Sequence, residues 1–197
     1  MCSSAPLPVL QPNQKGKIMR SHILSLSLGL VTMLGIALAQ APDSPKPGPE
    51  HKALNYFAGK WTSEGEMKPG PYGPGGKITS QDTCEWFSGG FQLVCRSQGK
   101  GPMGPMSSMG VLTFNMQEKA YTFYGIDSMG ANELAKGDKS GKTWTFTSTS
   151  NVGGETFQSR YTMVETSPTS YTFKWDTSPD GSKWSTMMEG TATKSGT

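Results

Sequence analysis

From Lys60 onward, apolar and polar positions alternate in short runs that recur about every ten residues, broken by Gly, Pro, Asp and Ser. Period-two alternation with such punctuation marks half-buried strands. Ten are predicted: Lys60–Lys68, Lys77–Phe87, Phe91–Gln98, Gly110–Gln117, Tyr121–Ser128, Asn132–Lys136, Thr143–Thr149, Glu155–Glu165, Ser170–Asp176 and Lys183–Thr193. Turn signals of hairpin length separate many of them: Gly89-Gly90, Glu118-Lys119, Asp138-Lys139-Ser140-Gly141 and Pro179-Asp180-Gly181. Loops that short join antiparallel neighbours in up-and-down order. Ten twisted strands either close on themselves or split into two sheets, and closure removes unpaired edges. The expected fold is therefore all-β, a single ten-stranded antiparallel up-and-down barrel. One helical stretch precedes it. Pro49 suits a first helical position, Ala53, Leu54 and Phe57 form an apolar stripe, and Gly59 ends the predicted helix Glu50–Phe57.

Alternation also assigns faces. Tyr121, Phe123, Gly125 and Asp127 share one side of their strand, and Trp144, Phe146 and Ser148 share one side of theirs. The same holds for Phe157, Ser159, Tyr161 and Met163, and for Tyr171, Phe173 and Trp175. The opposite positions are rich in Thr, Lys and Gln, so the aromatic side is predicted to face the interior. The candidate ligand-binding residues are Trp86, Leu93, Phe123, Asp127, Trp144, Phe146, Tyr161 and Phe173. Ten strands enclose more space than eight, which favours a cavity over a packed core.

Gly89-Gly90 sets the register of one hairpin. With Ser88 facing Phe91, Cys84 falls opposite Cys95, and both share the apolar face of Trp86 and Leu93. With this turn the two cysteines form a hydrogen-bonded pair, with Cα atoms about 5.5 Å apart. A structural disulfide is predicted, because no C-x-x-C spacing suggests a redox pair.

The N-terminal stretch changes the picture of compartment and charge. Ile23–Ala39 is a 17-residue uncharged apolar run preceded by Arg20 and closed by Ala37-Leu38-Ala39, the small-x-small pattern of a signal-peptidase site. Residues 19–39 are expected to be a cleaved signal peptide, with Met19 as the natural start and 1–18 as an upstream extension. Residues 40–48 form a Pro-rich linker, and 49–194 the barrel. Export to the periplasm or beyond places Cys84 and Cys95 in an oxidising compartment. Of the +3 formal charge, Lys15, Lys17 and Arg20 lie in the leader, so the mature part has as many bases as acids. That excludes a strongly basic nucleic-acid binder and any stable membrane insertion after cleavage.

The remaining chemistry is sparse. His51 is the one histidine after the leader, expected to be solvated on a surface helix, so a Ser-His-Asp triad, a multi-His zinc site and an axial haem ligand all lack their ligand. No catalytic residue, metal or cofactor is assigned. Met103, Met106 and Met109 in GKGPMGPMSSMG read as a flexible apolar lid, with Cu(I) binding as the less favoured alternative. Asp127 is a candidate general base, although it also suits capping of the turn Ser128-Met129-Gly130. No second inward acid is expected. The Gly/Pro-rich stretch 69–76 reads as a mobile connection at the open mouth.

The segment Lys46–Trp61, KPGPEHKALNYFAGKW, resembles the opening of the bacterial domain of unknown function 1579 family. Further matches are Cys84-Glu85-Trp86 through Gly90-Phe91, Phe114 through Tyr121, Ile126 through Gly130, and Asp180-Gly181-Ser182-Lys183-Trp184. The resemblance implies a lipocalin-like or nitrobindin-like barrel whose Gly59-Lys60-Trp61 opening places Trp61 as the plug of the closed end. It implies no activity. The haem-binding histidine of the nitrobindin group has no counterpart, since no His follows His51. The function these features favour is non-covalent binding of a small apolar or amphipathic ligand. The alternatives are a hydrolase- or isomerase-type enzyme using Asp127, or a solid-core envelope protein acting through its surface. Ligand identity and oligomeric state are not encoded in any motif.

Overall fold

A computed structural model describes residues 44–70, 73–152 and 155–195. The expected signal peptide and upstream extension lie outside the described residues, as do linker residues 40–43. The chain enters through a short helix, α1 (Pro49–Ala53), followed by a 3-10 turn over Leu54–Tyr56. Ten strands follow: β1 (Gly59–Met67), β2 (Gly76–Trp86), β3 (Gln92–Gly101), β4 (Gly104–Asn115), β5 (Ala120–Asp127), β6 (Asn132–Ser140), β7 (Thr143–Val152), β8 (Glu155–Ser167), β9 (Ser170–Ser178) and β10 (Ser185–Lys194). Every sequential pair is antiparallel, and β10 returns to pair with β1, from Trp61 opposite Lys194 to Met67 opposite Met188. The sheet is a closed up-and-down barrel, as the alternation predicts.

Four local expectations are corrected. The segment GKGPMGPMSSMG is not a loop: β3 runs on to Gly101 and β4 begins at Gly104, leaving only Pro102 and Met103 as the turn. The β6–β7 turn is Gly141-Lys142 rather than the preceding residues, because Ser140 still pairs with Thr143. In the β2–β3 hairpin the last ladder bond runs from the Phe87 amide to the Gln92 carbonyl, so Ser88 and Phe91 belong to the loop. Gly89 and Gly90 supply its positive φ values of 93° and 73°. Cys84 still faces Cys95, but alternation from Phe87–Gln92 makes them a non-hydrogen-bonded pair, the closer of the two kinds. Their Cα atoms are 4.0 Å apart and the disulfide is formed.

The fourth correction concerns His51. It is buried rather than solvated, wedged edge-on against Phe91 and Phe114 with ring centroids 5.0 and 5.9 Å away. Its Nδ1 accepts the Gly48 amide at 3.3 Å. Helix and 3-10 turn together form a plug at one end of the barrel. Tyr121 donates its hydroxyl to the Glu50 carbonyl at 3.2 Å, and Trp86 Nε1 donates to Asn55 Oδ1 at 3.0 Å. Tyr56 reaches the Ser167 and Ser170 carbonyls at 2.9 and 2.7 Å, so burial raises its phenol to about 12, with the Glu165 charge adding to the shift. Beneath the plug, Trp61 Nε1 bonds the Phe57 carbonyl at 2.8 Å. Leu54, Phe57, Leu93, Tyr121 and Trp144 pack into the dry floor.

Candidate ligand-binding cavity

Above that floor the interior is hollow. A cavity of about 480 Å³ occupies the lumen, within the range of small-molecule sites. Its hollowness has a sequence-level cause. Three inward phenylalanines pack over glycines on neighbouring positions of the wall. A Cβ on Gly110 would stand 2.3 Å from the Phe123 ring, and one on Gly125 would stand 2.7 Å from it. At Gly137 and Gly190 the Phe146 and Phe173 rings come within 2.7 and 2.5 Å of such a Cβ, just beyond the backbone carbonyls of Thr145 and Glu64 at 2.4 and 2.3 Å. Each ring takes up space that a side chain at its glycine would fill.

Strand register divides the lining into two half-walls. On β7 through β1, Phe146 faces Tyr161, Tyr161 faces Trp175, Trp175 faces Met188 and Met188 faces Met67. This row is aromatic and thioether. On β2 through β5, Asp82 faces Ser97, Ser97 faces Ser108 and Ser108 faces Asp127. This row is hydroxyl and carboxylate. Both rows line the cavity, and the cystine lies on the same wall.

The acids are held by the wall itself. Asp82 Oδ2 accepts the hydroxyls of Ser63 at 3.2 Å and Ser80 at 3.1 Å. Glu133 Oε1 accepts the Ser148 hydroxyl. Asp127 Oδ1 accepts the amides of Met129 at 2.8 Å and Ala131 at 3.0 Å, capping the β5–β6 turn. Burial pushes the Tyr161 phenol well above its ordinary value, and the charges of Tyr171, Asp82 and Glu133 push it further. Tyr171 is raised chiefly by burial too. Both phenols therefore stay neutral donors through the physiological range.

Of the eight candidate residues, Phe123, Asp127, Phe146, Tyr161 and Phe173 line the cavity, whereas Trp86, Leu93 and Trp144 do not. Those three face inward, but they sit at the floor. Trp144 is sandwiched between Phe57 and Tyr121 at 5.0 and 4.9 Å, and its Nε1 bonds Glu165 at 2.7 Å. Parity along a strand says which side a residue faces, not how far along the barrel axis it stands. The expectation of a lone inward acid is also corrected: Asp82 and Glu133 join Asp127 on the lining. Asp82 is two residues before Cys84 and shares its parity, so the signal was there. The methionine triad is not gathered on one face. Met106 lines the cavity, while Met109 pairs with Ile126 on the outer face. An odd separation in a strand sends side chains to opposite sides. Among the described residues, no cluster of His, Cys, Asp and Glu is arranged to hold a metal ion.

The family described as "Protein of unknown function (DUF1579)" matches residues 46–194, which is the plug and the whole barrel. The chain belongs to this family. No curated protein matches the sequence. Among solved structures, Rv2717c from M. tuberculosis is similar in fold, with a TM-score of 0.54 at 12% identity over 76% of this chain and 99% of that one. A redesigned beta barrel overlays with a TM-score of 0.41 at 18% identity, covering 73% of this chain and 96% of its own. A third structure, EF1p2_mFAP2b bound to DFHBI, overlays with a TM-score of 0.40 at 13% identity, covering 74% and 98%. At these identities the likeness to Rv2717c speaks to the fold alone.

Proposed function

We propose that this DUF1579 member is an exported carrier or sensor barrel that holds a small apolar or amphipathic molecule in its lumen without a covalent bond. The observation that carries the reading is the cavity of about 480 Å³, with rings packed over glycines and an aromatic row along one side. An interior built only for stability would be filled, because unfilled volume costs contacts. The disulfide fits an oxidising compartment. Among the described residues no helix is long and apolar enough to cross a membrane.

Two measurements test this. N-phenyl-1-naphthylamine, a neutral apolar dye, should bind one per chain with enhanced emission and should perturb the fluorescence of Trp61 and Trp175, which line the cavity. Organic extracts of protein purified from its native host should contain a small molecule at near-equal molar amount. Absence of both overturns the reading.

A further inference from the structure

We infer that the ligand is an organic cation, an apolar or aromatic body carrying an amine, held with its body on the aromatic row and its charge toward the carboxylates. The inference rests on the cavity reading above and adds the ligand's charge and polarity.

The composition of the lining is lopsided. Among the described residues bordering the cavity stand three acids, Asp82, Asp127 and Glu133, and no Lys, Arg or His. An enclosed field of one sign attracts the opposite sign and rejects its own. Carboxylates that serve only the fold use up their oxygens on wall donors or cations. Here each is half-used. Asp82 engages Ser63 and Ser80 through Oδ2 alone, Glu133 engages Ser148 through Oε1 alone, and Asp127 engages its turn through Oδ1 alone. The second oxygen of each has no hydrogen-bonding partner among the described residues. The contrast lies on the outer face, where Asp176 is satisfied on both oxygens, by Thr186 on one and by Arg160 and Lys174 on the other.

The charges also converge. Asp82 and Glu133 belong to β2 and β6, separated by three strands, yet both act on the Tyr161 hydroxyl of β8. The Tyr161 oxygen makes no hydrogen bond to a described residue, and its ring stacks on Phe173 at 6.2 Å and 16°. On the other half-wall Tyr161, stacked on Phe173, stands in register between Phe146 and Trp175. Indole and phenol faces attract a cation, most strongly where water is excluded. A charged amine so placed gains both partners, whereas a carboxylate ligand meets three like charges.

A matched trio of probes tests this: 2-(2-naphthyl)ethylammonium, neutral 2-ethylnaphthalene and 2-naphthylacetate, titrated calorimetrically into the full barrel at neutral pH and low salt. The ammonium should bind at least ~10-fold tighter than the neutral analogue, with the anion weakest. The double variant Asp82→Asn/Glu133→Gln should abolish the difference, the ammonium and the neutral analogue then binding that variant equally. If the neutral probe binds as tightly as the ammonium, the charge inference is overturned while the cavity reading stands. If none of the three binds, both fall. Should the double variant not fold, the ranking on the unaltered protein decides by itself.

Discussion

Asp176 is 1% exposed on the outer face, and its carboxylate is engaged on both oxygens. Thr186 bonds Oδ1 at 2.8 Å, while Arg160 and Lys174 meet Oδ2 at 3.1 and 3.2 Å. Arg160 in turn lies 4.2 Å from the Trp184 ring, which closes the β9–β10 loop over the site. Burial alone would raise this acid, but the bonds from Thr186, Arg160 and Lys174 outweigh it and hold it below its ordinary value. As pH falls, the unfolded chain therefore takes up a proton at Asp176 before the folded chain does. The stabilisation is whole above the unfolded value near 3.9 and fades as pH falls toward the folded value. Asp176→Asn should cost on the order of 2 kcal/mol at pH 7, from loss of charge-assisted bonds. It should also flatten the decline of Tm below pH 4, followed by circular dichroism. An unchanged acid limb would show that other carboxylates govern acid unfolding.

At the scale of elements, two pairings define the walls. The Cys84–Cys95 disulfide joins β2 to β3 across a short loop, with a sequence separation of 11. Chain-entropy arguments put its contribution near 3 kcal/mol. Reduction should therefore lower Tm by roughly 10 °C without loss of strand signal, since the hairpin register is also specified by polarity and by the glycine turn. The second pairing is ring on glycine. Gly110→Ala should turn Phe123 off the wall and into the lumen, costing about 1–3 kcal/mol by overpacking. The same variant should weaken binding of the neutral dye, because the displaced ring takes ligand space. A variant of unaltered stability and affinity would mean that Phe123 does not depend on the missing Cβ.

At the scale of the whole molecule, closure depends on the last strand. β10 pairs on one side with β9 and on the other with β1, the latter separated from it by the length of the domain. Removing residues 185–194 would leave β1 and β9 as facing unpaired edges, and open edges recruit other chains. The truncated protein should form concentration-dependent oligomers or aggregates in sedimentation velocity, while the full barrel does not aggregate through a sheet edge. A monomeric, cooperatively folding truncation would contradict this.

Strand number, order, facing and the cystine were legible in the sequence because each is local. Period-two polarity sets a face within a few residues, and turn chemistry sets a hairpin register. The same locality explains the errors. Trp86, Leu93 and Trp144 have inward parity but stand at the plugged end, and height along the barrel depends on strand stagger and on where α1 docks. His51 reads as a surface residue until Phe91 and Phe114, both more than thirty positions away, close over it. The sequence by itself determined a closed ring of ten strands with an aromatic interior. Only the tertiary structure decided that the interior is hollow, and that its acids face its aromatic rings. Those outcomes come from glycines on one strand receiving rings from the same or a neighbouring strand, and from wall segments distant in sequence meeting across a common lumen.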